Sequence, residues 1–126
     1  MKKHKSVFSN VLQLIGDTPL VKLNNITSSF KGNFYAKLES FNPGHSSKDR
    51  IALFIIEEAE RKGIIKRGDT IIETTSGNTG FSIAMISIIK GYDCILAVSS
   101  KSSSDKIDML KTMSVSYTHL RSHETR

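Results

Sequence analysis

The clearest pattern of apolar and polar positions lies in residues 48–62, where apolar side chains recur at spacings of three and four. Such spacing is typical of a helix with one apolar face. The apolar positions on this face are Ile51, Ala52, Ile55 and Ala59. Gly63 follows, and a glycine in this place commonly ends a helix. We therefore predict a helix over residues 48–62 that packs these four side chains against a core.

Two later segments are also predicted as helices. Residues 81–90 are apolar nearly all round, which indicates a buried helix, and Gly91 is placed to end it. Residues 105–113 carry acidic side chains near the positive end of a helix, with Ile107 and Leu110 facing inward.

The segments between these helices are short and are predicted as strands. Residues 34–39 alternate loosely, residues 70–73 are rich in β-branched side chains, and residues 94–98 form a continuous apolar run. A continuous apolar run suits a strand that is covered on both faces, and the single cysteine, Cys94, is expected in the core there. The order β-α-β-α-β-α, with helices crossing between buried strands, predicts an α/β fold with a parallel sheet.

Composition narrows the class of protein. A chain of 126 residues with 38% hydrophobic and 24% charged residues fits one small globular domain. One cysteine excludes an intramolecular disulfide and a metal site built from cysteines alone. No apolar run reaches the roughly 18 to 20 residues that a membrane span needs, and polar residues interrupt the segment after the basic start. We expect no signal peptide and a cytoplasmic location.

The net charge of +6 is compatible with several kinds of ligand. The positive charges are spread along the chain, with one dense cluster at Lys2, Lys3 and Lys5, and no aromatic pattern accompanies them. A solvated basic surface or an anionic small-molecule ligand explains this balance better than nucleic acid does. We expect no nucleic-acid partner and no membrane partner. His119 and His123 have the spacing of a helical metal pair, but nothing supplies further ligands, so no metal site is expected.

The first candidate for chemistry is the segment 37–50, which reads KLESFNPGHSSKDR. Lys48 lies where a turn leads into the predicted helix. Positive charge is unfavourable at a helix start, so this place favours the neutral, nucleophilic amine. An exposed lysine on the first helical turn is the structural alternative.

The second candidate is the segment 74–80, which reads TTSGNTG and lies between a predicted strand and the buried helix. Gly77 and Gly80 allow the backbone to approach a ligand closely, and the free N–H groups of the following helix can bind an anion. In a parallel α/β sheet such a loop lies at the carboxyl edge, where ligands commonly bind. The segment lacks the lysine of a Walker A loop, and a purely structural turn is the alternative.

Together, segments 48–50 and 76–80 resemble the paired signatures of the cysteine synthase and cystathionine β-synthase family. These are pyridoxal-phosphate enzymes of the tryptophan-synthase-β fold type, also called fold type II. The resemblance covers roughly residues 10–113 and includes IGDTPL at 15–20, GDTIIE at 68–73, GY at 91–92 and DKIDML at 105–110. It implies that residues 1–113 are the N-terminal part of a pyridoxal-phosphate-dependent catalytic domain, with a truncated parallel sheet and crossover helices.

The resemblance also assigns roles to individual residues. Lys48 would be the Schiff-base lysine, which holds pyridoxal 5′-phosphate and later removes the α-proton of the substrate. Asn78 would hydrogen-bond the 3′-oxygen of the cofactor. The substrate carboxylate would be held by the loop backbone and by Thr75, Ser76, Gly77, Asn78 and Thr79. Asp49 and Arg50 are expected to support the lysine turn rather than to catalyse.

The reaction implied by the family is β-replacement, or elimination, on serine or O-acetylserine in cysteine or cystathionine synthesis, with a thiol or sulfide as the second partner. A threonine or serine dehydratase-like enzyme and a non-catalytic ligand-binding relative are the alternatives. A homodimer is the family's usual assembly.

Two parts of the chain depart from the family pattern. Residues 44–47 read GHSS where the family commonly has Gly-Gly-Ser-Val, so His45 would be strained if its backbone needs a positive φ. Residues 114–126 do not resemble the family and are expected to be translated sequencing-adapter read-through. The family's catalytic unit is at least about twice as long as this chain and spans two domains. We therefore expect the 126-residue chain alone to be inactive.

Overall fold

The computed structural model describes residues 7–75, 77–99, 104–113 and 116–120. Its strands and helices are, in chain order, β1 Leu20–Leu23, β2 Phe34–Lys37, α1 Lys48–Arg61, β3 Thr70–Thr75, α2 Asn78–Lys90, β4 Asp93–Ser99, α3 Ser104–Thr112 and β5 Ser116–Leu120. In these ranges, no helix is long and apolar enough to cross a membrane.

The strands β3, β4 and β5 form a parallel sheet in that order, which confirms the predicted α/β class. Ile72 pairs with Ile95 between β3 and β4, and Ile95 pairs with Ser116 between β4 and β5. The helices α2 and α3 connect successive parallel strands, which cannot be joined by a tight turn. The sequence pattern predicts no element in residues 114–126, where β5 lies.

The predicted strand at residues 34–39 exists as β2 but does not join the parallel sheet, so that part of the prediction is wrong. It pairs antiparallel with β1, a strand that the periodicity did not indicate, and Val21 lies opposite Ala36. Both strands have four residues and most of their side chains are exposed. Because neither strand has a buried face, no period-two alternation marks β1 in the sequence.

The core lies between α2 and the parallel sheet. Its most deeply buried apolar side chains include Ala84 and Ile86 of α2, and Leu96 and Val98 of β4. This confirms the buried helix, and Cys94 is buried in the same cluster, as predicted. The helix α2 ends at Gly91, whose φ of 78° is the left-handed conformation that glycine adopts without strain.

The buried face of α1 differs from the predicted one. Ile51 and Ile55 are 47% and 60% exposed, whereas Asp49, Ala52 and Ile56 are buried. The last three follow the spacing i, i+3, i+7, so the helix is rotated by about one residue from the expected orientation. A carboxylate in the first turn faces inward, which a count of apolar residues cannot detect.

The helices α1 and α2 are also joined near their C-termini. Glu60 of α1 accepts hydrogen bonds from Lys90 Nζ and from the Tyr92 hydroxyl, each at 2.8 Å. The Lys90 hydrogen bond lowers the pKa of Glu60 below its ordinary value, while burial and the neighbouring Glu60 raise the pKa of Tyr92 to about 12. The two helices therefore run side by side and are held together at this end.

We expect Ile86→Ala and Ile88→Ala, on the same helix, to differ sharply in stability. Ile86 is fully buried, so its truncation should lower the free energy of unfolding by about 2–4 kcal/mol through lost transfer energy and a new cavity. Ile88 is 50% exposed, and its truncation should change the free energy of unfolding by about 0.5 kcal/mol or less. Urea denaturation of both variants measures the difference, and equal losses would contradict the assignment of the core.

Candidate active site

Lys48 is the first residue of α1 and follows a tight turn. Its backbone N–H donates to Ser46 Oγ at 3.2 Å, and the residue is exposed. The structure therefore presents the amine of Lys48 at the start of the helix, where the sequence placed it, with access to solvent.

The next residue, Asp49, is completely buried and organises the turn. One carboxylate oxygen accepts the backbone N–H of Gly44 and the other accepts the hydroxyl of Ser82, both at 2.5 Å. A Cβ added to Gly44 would collide with this carboxylate, which is why the turn needs glycine at position 44. The position in the first turn of α1 also suits a negative charge. Asp49 therefore acts as a support of the lysine turn, as expected.

The loop after β3 is shaped by the hydroxyl of Thr75. Thr75 Oγ1 accepts the backbone N–H groups of Gly77 at 3.2 Å and of Gly80 at 3.0 Å, and the residue is buried. A Cβ on Gly80 would collide with the methyl group of Thr75. The Thr75 hydroxyl thus fixes the loop geometry from inside. Ser76, predicted to contact the substrate carboxylate, lies outside the described residues.

Asn78 and Thr79 are the first two residues of α2. The N-cap residue of this helix is Gly77, which has no side chain to accept a hydrogen bond from the first N–H groups. Asn78 is exposed and Thr79 is half-buried. Their backbone N–H groups have no hydrogen-bond acceptor among the residues that the structure describes. Uncapped N–H groups at a helix start, next to the positive end of the helix dipole, favour an anionic ligand group.

The two predicted segments meet through Asp49 and Ser82. Ser82 lies one turn along α2 from Asn78, and Asp49 adjoins Lys48 in the chain, so their 2.5 Å contact places the starts of α1 and α2 side by side. Because α2 follows the carboxyl end of β3, this is the carboxyl edge of the parallel sheet. The structure therefore brings Lys48 and Asn78 to one edge.

A second set of contacts holds Arg50. Its guanidinium forms two hydrogen bonds to the carboxylate of Glu39, at 2.8 and 3.0 Å, and one to Thr18 Oγ1 at 3.0 Å. The Arg50 hydrogen bond is the main cause that lowers the pKa of Glu39 from its ordinary 4.5 to about 2. Arg50 thus joins the start of α1 to the segment before β1, as a support of the turn.

Asn42 extends this set of contacts to the chain's early glycine motif. Its side-chain amide donates to a Glu39 carboxylate oxygen and its amide oxygen accepts the N–H of Gly16, each at 2.9 Å. Sequence reasoning did not identify Thr18, Glu39 or Asn42 as part of the site's framework. All three lie within the motif segments 15–20 and 37–50, but the contacts that join these segments span 19 to 32 residues of chain.

The backbone of His45 has a positive φ, the conformation for which the sequence predicts strain at this position. Its φ is 58°, in the left-handed region that a side chain with a Cβ adopts at some cost. The residue is exposed, and its ring nitrogen Nδ1 lies 3.3 Å from the carbonyl oxygen of Ser40. His45 therefore lies on a surface turn.

The family model described as "Pyridoxal-phosphate dependent enzyme" matches residues 11–123 of the chain. The chain belongs to this family. The resemblance drawn from its motifs is thereby confirmed, and pyridoxal phosphate is the cofactor of the family. The match extends ten residues beyond residue 113. The assignment of residues 114–126 to a non-family tail stays a prediction.

Curated relatives carry the two names that the motifs suggested. The chain is 47% identical over 115 residues to cystathionine beta-synthase of Oryctolagus cuniculus, covering 90% of this chain and 21% of the relative. It is 49% identical over 102 residues to cysteine synthase of Staphylococcus aureus (strain Mu50 / ATCC 700699), covering 81% of this chain and 33% of the relative. The chain therefore spans between a fifth and a third of the length of these relatives.

Solved structures agree with this placement. A hydrogen sulfide-producing enzyme from Fusobacterium nucleatum is 43% identical, with a TM-score of 0.86 over 94% of this chain and 39% of that one. An O-ureido-L-serine synthase is 36% identical, with a TM-score of 0.84 over 94% of this chain and 37% of that one. The described fold is therefore that of fold-type-II pyridoxal-phosphate enzymes.

The residues at this edge of the sheet fit the family's cofactor. Lys48 offers an accessible primary amine, which is the group that an aldehyde requires. The Asn78 amide offers a hydrogen-bond donor, and the uncapped N–H groups of α2 suit a carboxylate. Gly80 has no side chain, which allows the start of α2 to pack directly against Thr75.

We expect Gly80→Ala to lower the free energy of unfolding by about 3 kcal/mol, because the new methyl group collides with the methyl group of Thr75. Thr75→Ser should restore part of this loss in the double variant, since serine keeps the hydroxyl that accepts the Gly77 and Gly80 N–H groups. Urea denaturation of the two single variants and the double variant tests the prediction. Strictly additive losses would show that the two side chains do not compete for the same space.

We expect the stability of the protein to depend on Glu39 in acid. The pKa of Glu39 is lowered in the folded state, so its contribution is fully present above pH 4.5 and is lost as the pH falls towards about 2. In Glu39→Gln, the free energy of unfolding should therefore fall less steeply over this range than in the wild type.

The control for this experiment is Glu73→Gln. The Glu73 side chain has no hydrogen-bond or ion-pair partner within the described ranges. The free energy of unfolding of this variant should therefore fall with decreasing pH as it does in the wild type. Denaturant titrations at several pH values provide the comparison. If the free energy of unfolding falls equally steeply with decreasing pH in the wild type and in Glu39→Gln, the role given to the Arg50 contacts is contradicted.

Proposed function

We propose that the protein to which this chain contributes carries out pyridoxal-phosphate-dependent β-replacement on serine or O-acetylserine, with a thiol or sulfide as nucleophile. Cysteine or cystathionine would be the product. The observation that carries the proposal is that Lys48 and Asn78 begin two helices whose starts are joined through Asp49 and Ser82. The names of the relatives support the same reaction class.

Lys48 would bind the aldehyde of the cofactor through its amine, and that amine would later take the α-proton of the amino-acid substrate. Bound pyridoxal phosphate supplies an electron sink for the charge that develops at the α-carbon. Asn78 would donate its side-chain N–H to the 3′-oxygen of the cofactor. Lys48 and Asn78 are both exposed, so both remain accessible to a ligand.

The loop and the start of α2 would hold the substrate carboxylate. The backbone N–H groups of Asn78 and Thr79 have the polarity for this task, and the helix dipole adds to it. Thr75 would contribute indirectly, because its hydroxyl is engaged with the N–H groups of Gly77 and Gly80. Contacts from Ser76 and Gly77 to the carboxylate belong to the same proposal.

The activity is proposed for a protein longer than this 126-residue chain, because the relatives are three to five times as long as their matched parts. We propose that the chain alone is not a competent enzyme. A homodimeric assembly and a cytoplasmic location stay predictions.

We expect pyridoxal phosphate and borohydride to modify Lys48 in the purified protein. Reduction converts a Schiff base into a stable secondary amine, which peptide mass mapping assigns to one residue. Lys48→Arg should abolish the modification, because a guanidinium does not form a Schiff base with the aldehyde. Lys66→Arg, at an exposed lysine outside the site, should leave the modification of Lys48 unchanged.

The products that the longer protein forms from O-acetylserine and sulfide then decide the reaction class. Cysteine formation supports β-replacement, whereas a keto acid without cysteine would assign the protein to the dehydratase-like alternative. Equal modification of Lys48 and Lys66 by pyridoxal phosphate, with no product, would favour a non-catalytic relative and contradict the proposal.

A further inference from the structure

Two serines of α2, Ser82 and Ser87, are completely buried but differ in their surroundings. Ser82 Oγ lies 2.5 Å from Asp49 Oδ1 and 3.0 Å from the carbonyl oxygen of Asn78. Ser87 Oγ has no hydrogen-bond partner among the residues that the structure describes. A buried hydroxyl is unfavourable unless it is hydrogen-bonded, so the contacts of Ser82 are the more consequential ones.

The position of Ser82 connects the two candidate catalytic segments. A hydroxyl has one proton, and both of its neighbours are acceptors, so Ser82 shares its proton between the Asp49 carboxylate and the Asn78 carbonyl. Asp49 is bonded covalently to Lys48, and the Asn78 carbonyl belongs to the residue predicted to contact the cofactor. Ser82 is thus a side chain that touches both segments from inside the protein.

We propose that Ser82 is a positioning residue that fixes Lys48 relative to Asn78. The Asp49 carboxylate holds the lysine turn through Gly44, and the Ser82 hydroxyl ties that carboxylate to the first turn of α2. Without the Ser82 hydroxyl, the lysine turn and the first turn of α2 would each keep their local structure. They would lose the hydrogen bond that fixes their position relative to each other. The consequence for cofactor binding rests on the proposed function, whereas the coupling of the segments does not.

Amide hydrogen exchange of Ser82→Ala tests the coupling directly. The Gly44 N–H donates to Asp49, so losing the Ser82 hydroxyl should speed exchange at Gly44 by about tenfold, as expected for one buried hydrogen bond to a charged group. Leu96, in the central strand, should exchange at the wild-type rate. Ser87→Ala is the matched control, because it removes a buried hydroxyl from the same helix without touching Asp49.

A general loss of stability would have a different signature. It would speed exchange at Leu96 as much as at Gly44, and that result would overturn the proposal. Equal effects of Ser82→Ala and Ser87→Ala at Gly44 would also overturn it.

Asp49→Asn provides a rescue test that separates geometry from charge. The oxygen of the new amide can accept the Gly44 N–H, and its NH₂ group can donate to Ser82 Oγ, which then donates its proton to the Asn78 carbonyl. We expect Gly44 exchange in this variant to stay nearer the wild type than in Asp49→Ala. If Asp49→Asn and Asp49→Ala exchange equally fast, the geometric coupling through Ser82 is wrong.

The yield of reduced pyridoxal-phosphate adduct at Lys48 gives the functional readout. We expect Ser82→Ala to lower this yield several-fold at the same folded fraction, and Ser87→Ala to leave it unchanged. A wild-type protein that forms no adduct would refute the proposed function but leave the exchange result intact. An unchanged yield in Ser82→Ala would refute the positioning role.

Discussion

The buried carboxylate of Asp49 is the constraint on which the rest of this structure depends. A charged group without contact to water needs hydrogen bonds to each oxygen, and Asp49 obtains them from the Gly44 backbone and the Ser82 hydroxyl. One donor lies in the lysine turn and the other in a different helix. Satisfying this carboxylate therefore fixes the turn, the rotation of α1 and the position of α2 at once.

The same constraint explains the unusual surface of α1. Turning Asp49 inward turns Ile51 and Ile55 outward, so the helix exposes apolar side chains while it buries a charge. The contact between Glu60 and Lys90 connects the other ends of the two helices. The arrangement favours a defined site over maximal apolar burial, in agreement with the rule that functional sites are locally less favourable than ideal packing.

The contacts among Arg50, Glu39, Thr18 and Asn42 form an outer layer around the same turn. They are partly exposed, and their effect is to attach the segment before β1 to the start of α1. The motifs at residues 15–20, 37–50 and 74–80 thus become one contiguous unit through side-chain hydrogen bonds. This unit contains Lys48 and Asn78, the two residues that we propose to contact the cofactor.

The sequence alone determined the α/β class, α2 and its burial, the three predicted helices and the two segments at the sheet edge. These features depend on local periodicity, glycine positions and helix ends, which operate over a few residues. Only the tertiary structure decided the antiparallel β1–β2 pair, the rotation of α1 and the contacts of Ser82. Each of these depends on contacts between residues far apart in the chain, such as Leu20 with Lys37 and Asp49 with Ser82. A buried charge cannot be distinguished from an exposed one until its distant donors are known.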